Sequence, residues 1–139
     1  MSAELIDARY VSLATFRRSG ELVATPVWCA EEAGSFYMFS AREAGKVKRL
    51  RNSDCARMAA CDVRGKLLGD WHPARAEIIS EPEDIRRALT ALRRKYGAQM
   101  WVADVGAKLT GRYRKRAYIR ARLTDDESRA SSERGELFD

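Results

Sequence analysis

From Tyr10 to Phe16 the chain alternates with period two. Tyr10, Ser12, Ala14 and Phe16 fall on one side of an extended strand, and Val11, Leu13 and Thr15 on the other. The pattern stops at the turn pair Ser19-Gly20 and resumes over residues 22–30 (LVATPVWCA), where Pro26 implies an edge position or a bulge. A second turn over residues 31–34 (EEAG) leads into a short third strand, residues 36–39 (FYMF). Strands joined this tightly form an antiparallel meander, and that constrains everything downstream.

Two helices interrupt the strands. Ser40 and Glu43 have capping-box spacing, followed by Ala44, Val47 and Leu50 as an apolar stripe. A fourth strand is expected over residues 55–63 (CARMAACDV), closed by a turn at Arg64-Gly65, and a fifth over residues 70–80 (DWHPARAEIIS). Ser80 and Glu83 form another capping box, with Pro82 in the first turn and Gly97 as the stop. Ile85, Ala88, Leu89, Leu92 and Tyr96 make that helix's buried stripe. A further helix is read over residues 99–109 and a closing strand over residues 115–123, where Ala117, Ile119, Ala121 and Leu123 share a side. The sum is a mainly β fold of six antiparallel strands with inserted helices, and a sheet of that kind curls into a barrel.

Composition sets the limits. At 139 residues and 45% hydrophobic content the chain suits one domain that buries a sizeable core without disulfides. That domain is expected over residues 1–123, with residues 124–139 as an acidic, mobile tail. Cys29, Cys55 and Cys61 show no zinc-type spacing, and His72 is the only histidine, so no metal centre is expected. No apolar run is long enough for a membrane span and the start lacks a signal-peptide pattern. The chain is therefore read as cytoplasmic, with no membrane partner.

Charge is unevenly placed. Residues 125–139 hold six acids against two arginines, a net −4, so the body carries +10 of the overall +6. A basic body invites an anionic partner, although a solvated basic surface would look the same. Nucleic acid is not expected, because the basic residues have little aromatic interleaving and no signature of a binding module is present. The densest constellation runs from Ser40 to Arg51 (SAREAGKVKRLR). A helix start there would offer N–H groups to an anion, with the Ser40 hydroxyl and the Lys46 ammonium reaching the same place. The alternative leaves Ser40 a cap and the lysines a solvated face. The run is not a P-loop, since the earlier glycine and the following Ser or Thr are missing.

Four segments together carry a resemblance: residues 10–18 (YVSLATFRR), 24–28 (ATPVW), 44–52 (AGKVKRLRN) and 61–65 (CDVRG). In order and spacing they resemble the pyridoxamine 5′-phosphate oxidase-like split β-barrel superfamily. The nearest branch is that of the small oxidoreductases dependent on the deazaflavin coenzyme F-420. The likeness spans residues 8–123 and includes the late run 86–97 (RRALTALRRKYG).

The resemblance implies a homodimer with two cofactor sites at the subunit interface, acting on a small organic substrate. Thr25, Pro26, Val27 and Trp28 would lie along the cofactor ring. Ser40, Ala41, Gly45 and Lys46 would fall at its phosphate, Lys48 and Arg49 at the oligoglutamate tail, and Arg57 would add a contact. Trp71 and His72 would form a substrate wall. FMN is the alternative cofactor, and a non-catalytic flavin or haem carrier the alternative role. Catalytic residues stay unassigned, because a hydride carrier does the chemistry and the protein supplies position and electrostatics. The chain departs from the family pattern at Ser53-Asp54, at Ala60 and at Ala74. Ala74 lies nearest the expected pocket, where it bears on the substrate.

Overall fold

A computed structural model describes residues 3–124. The alternating stretch is strand β1 (Tyr10–Phe16), and every residue from Val11 to Thr15 is buried, on both faces. The reason is its central place: β1 pairs antiparallel with β2 (Leu22–Val27) on one side and β5 (Cys55–Cys61) on the other. Leu13 stands opposite both Thr25 and Met58, so these three side chains share a face. That face is the barrel interior, where Leu13 and Met58 pack with Val11, Phe36, Met38 and Ile119.

The remaining strands are β3 (Cys29–Glu32), β4 (Ser35–Ala41), β6 (His72–Ile79) and β7 (Arg116–Leu123). They complete one antiparallel sheet in the order β2-β1-β5-β6-β7-β4-β3, seven strands rather than the six expected. The extra strand arises because residues 22–30 do not run as one. The chain breaks at Trp28, sending Leu22–Val27 to one edge and Cys29–Glu32 to the opposite edge. The Cys29 N–H is taken by the Tyr96 hydroxyl at 2.8 Å, and Trp28 stacks on the Tyr96 ring at 4.8 Å. Two edges joined through a single residue can exist only if the sheet curls, so the barrel is closed by the covalent chain. Pro26 sits on edge strand β2, where its missing N–H costs no ladder bond.

Among the described residues, four α-helices lie about the sheet. The short α1 (Ala3–Asp7), which the sequence did not announce, is pinned by the fully buried Leu5. Helix α2 (Gly45–Asn52) begins later than the Ser40 capping box implied. Ser40 and Ala41 are still in β4, paired with Ala117 and Arg116, and the cap position is Ala44. Backbone pairing with β7 outweighs the one side-chain bond a cap would give. Helix α3 (Pro82–Tyr96) is likewise capped at Glu81 and not at Ser80, with Pro82 in its first turn. Its stripe of Ala88, Ala91, Leu92 and Tyr96 covers the outer face of the sheet over Tyr37, Ile79 and Tyr118. Gly97, at φ +52°, ends it in a backbone conformation that other residues resist. Helix α4 (Ala98–Thr110) and a 3-10 turn (Arg112–Lys115) lead into β7. The proposed tail, apart from Thr124, lies outside the described residues.

Candidate functional site

The end of β4 and the start of α2 bring two cations onto hydroxyl groups. Lys46 Nζ donates to Ser40 Oγ at 3.2 Å, so Ser40 serves the lysine without capping the helix. Burial, and then the positive charge of Arg49, lower the Lys46 pKa below the ordinary lysine value. Arg49 Nε donates to Thr15 Oγ1 at 2.6 Å, and Thr15 is fully buried in β1. The Arg49 pKa is lowered in turn, by burial and then by Arg17. In both cases burial is the first cause and a neighbouring cation the second, so the two charges are crowded together at this end of α2.

Gly45 has a steric role here. A Cβ at this position would lie 2.8 Å from Arg49 Nη1, so the missing side chain is what lets the guanidinium lie back over the helix start. Beside Arg49 is a cavity of about 260 Å³ lined by Phe16, Arg17, Arg18, Asn52, Ser53 and Cys55. Arg57, on β5, lies over the Phe16 ring at 5.9 Å. Lys48 faces elsewhere, with its ammonium 3.9 Å from the Glu43 carboxylate and both side chains mostly exposed. A pair so open to solvent contributes little.

The four residues of 25–28 are not on one wall. Thr25 and Val27 face the barrel interior with Leu13 and Val11, whereas Pro26 is exposed on the other side. Trp28 is packed between Tyr96, stacked at 12°, and the edge of Phe39. Thr25 Oγ1 is buried with no hydrogen-bond partner. It shares a face with Thr15, which anchors Arg49, one diagonal step along the ladder. Trp71 precedes β6 and His72 opens it, at the end of that strand away from Ser40. His72 Nε2 lies 3.2 Å from Glu4 Oε1, tying α1 to the sheet. The structure thus joins Ser40, Gly45, Lys46 and Arg49, sets Thr25 nearby, and leaves Trp71 and His72 apart. Thr15 and Arg17 were missed as site residues. Only the run Arg17-Arg18 signalled charge there, and nothing local ties Thr15 to a residue 34 positions away.

A phosphate group, esterified once or twice, needs its negative charge met and several donors at once. Lys46, Arg49 and the Ser40 hydroxyl supply these. The residues therefore fit the phosphate end of a flavin-type cofactor. Among the described residues there is no cluster of three or more His, Cys, Asp or Glu side chains suited to a metal ion. Nor is any helix there long and apolar enough to cross a membrane.

A curled antiparallel sheet whose two edges meet, with helices on its outer face, defines the split-barrel class. The family model for pyridoxamine 5′-phosphate oxidase matches residues 1–128, and the chain belongs to that family. Members of it bind FMN or related cofactors. No curated protein matches the chain in sequence. Several solved structures share the fold. One is the haem storage protein HutZ from Vibrio cholerae, with a TM-score of 0.66, 8% identity, and coverage of 88% of this chain and 87% of that one. Another is a candidate 5-nitroimidazole antibiotic resistance protein from Bacteroides thetaiotaomicron, at 0.65, 15%, 89% and 77%. A third is the conserved hypothetical protein Rv2991 from Mycobacterium tuberculosis, at 0.59, 21%, 90% and 85%. Identities this low carry the fold alone.

Proposed function

We propose that the chain is an oxidoreductase that holds coenzyme F-420, by its phosphate group, at the start of α2, and that works as a cytoplasmic homodimer on a small organic substrate. One observation carries the reading: the half-buried Lys46 on Ser40, next to Arg49 on Thr15, makes a cationic cradle on a split barrel. Lys46, Ser40 and Arg49 bind the phosphate, and Gly45 leaves room for the guanidinium. Arg57 and the backbone of Ala41 serve the more distant parts of the ligand, and Lys48 reaches them by leaving its exposed pair with Glu43. When bound, the cofactor supplies hydride transfer. The chain supplies orientation, charge and exclusion of water. The surplus of cations around the cradle favours F-420 over FMN, because an oligoglutamate tail needs them. His72 already contacts Glu4, which weighs against a haem-carrying role.

The experiment is a fluorescence titration of the full chain with F-420 and, separately, FMN, in wild type and Lys46→Ala. Preferred binding of F-420 that weakens on losing Lys46 supports the reading. Preference for FMN moves the activity to the flavin branch, and binding of neither overturns it.

A further inference from the structure

We propose that a second cavity, apart from the Lys46 cradle, binds an organic carboxylate with an apolar body. The cavity holds about 590 Å³ and opens where the end of β6 and the start of β7 meet the first half of α3. That volume is within the usual range for small-molecule sites. Its floor is apolar, with Ile79 and Tyr118 from the sheet and Ile85 and Leu89 from α3. Its rim is cationic, with Arg42, Arg51 and Arg114 among the residues that line it and no Asp or Glu.

The charges on that rim are available. A fourth arginine, Arg116, is already neutralised by Asp104 at 2.8 Å and serves as wall. Among the described residues, Arg42, Arg51 and Arg114 form no ion pair with a carboxylate. Arg42 is nevertheless held in place: its Nη2 donates to the Arg114 carbonyl at 2.8 Å, and its backbone N–H to the Lys115 carbonyl at 2.7 Å. This arrangement selects by two criteria at once. An apolar body displaces water from the floor, and a carboxylate meets guanidinium groups suited to paired hydrogen bonds. A neutral molecule leaves the rim unanswered, and a cation is repelled. The proposal does not depend on which cofactor the other site takes.

The test uses the full chain and three probes with one ring system and three charges: naphthalene-2-carboxylate, naphthalene-2-carboxamide and 2-naphthylmethylamine, titrated by calorimetry. Saturable binding of the carboxylate, at least tenfold tighter than the amide and with no binding of the amine, is the expected result. The double variant Arg51→Gln/Arg114→Gln alters exposed side chains and should weaken the carboxylate at least tenfold. Arg64→Gln/Lys66→Gln, the same charge change in the β5–β6 loop, should leave it unaltered. Equal affinities for the three probes, no saturable binding, or equal effects of the two double variants would each overturn the proposal.

Discussion

Asp104 accepts a 2.8 Å hydrogen bond from Arg116 Nη1, and both side chains are less than a tenth exposed. The other carboxylate oxygen accepts from Arg93 Nε at 3.0 Å, so one acid on α4 ties α3 to the first residue of β7. Arg116 also lies over Phe39 at 4.4 Å and over Tyr113 at 4.8 Å. Removing the acid strands a buried cation. Asp104→Asn should therefore destabilise the chain by about 3–5 kcal/mol. Urea unfolding measures it, and a loss below about 1 kcal/mol would show that Arg116 finds other compensation.

Alkaline titration should expose the joint between β3 and α3. Burial pushes the Cys29 thiol up from 9.0 to about 12, and burial likewise pushes the Tyr96 hydroxyl up from 10.0 to about 12. In those windows the native state keeps protons that the unfolded chain releases, so stability falls as pH rises. Lys95, beside them, has its pKa lowered from 10.5, chiefly by burial, and acts in the opposite direction below that value. The net loss should be clearest above pH 10.5, with a slope of about 1.4 kcal/mol per pH unit for each group titrating. Tyr96→Phe should flatten that slope. It should also cost about 1–3 kcal/mol at neutral pH, because the Cys29 N–H loses its acceptor.

Thiol reactivity should separate the cysteines. Cys29 and Cys61 are buried and their thiols are shifted up, mainly by burial, whereas Cys55 is only half-buried. One thiol should react quickly with a disulfide reagent in the native protein, and all three after denaturation. Mass spectrometry of the labelled peptide should find the first label on Cys55. Fast labelling of Cys29 would mean that the β3 edge opens readily.

Gly45→Ala separates stability from ligand binding. The new methyl group would meet only the mobile end of Arg49, and alanine is the better helix former, so stability should change by less than about 1 kcal/mol. Displacing the guanidinium from Thr15 should weaken cofactor binding several-fold in the same titration that tests Lys46. Unchanged affinity would remove Arg49 from the cradle.

Much of the fold is legible where the information is local. The alternation of residues 10–16 is enough to place β1, and the spacing of Ala88, Leu92 and Tyr96 is enough to orient α3. Trp28 shows the limit: Pro26 implies an edge or a bulge two residues earlier, but the break itself falls where Trp28 and Cys29 meet Tyr96, far along the chain. Ser40 shows another, since a capping-box spacing also occurs by chance where a strand ends, and only the partner β7 decides. The site divides the same way. Ser40 and Lys46 lie six positions apart and are readable together, whereas Thr15 joins Arg49 only through the packing of α2 over β1.

The single-residue joint at Trp28 makes the molecule behave like a bracelet fastened by a clasp. The two rims of the sheet are held near one another by a peptide link and not by a row of hydrogen bonds. A chain cut at that point would keep every strand pairing, and only side-chain packing and the bonds from Lys95 and Tyr96 to Cys29 would hold the rims together.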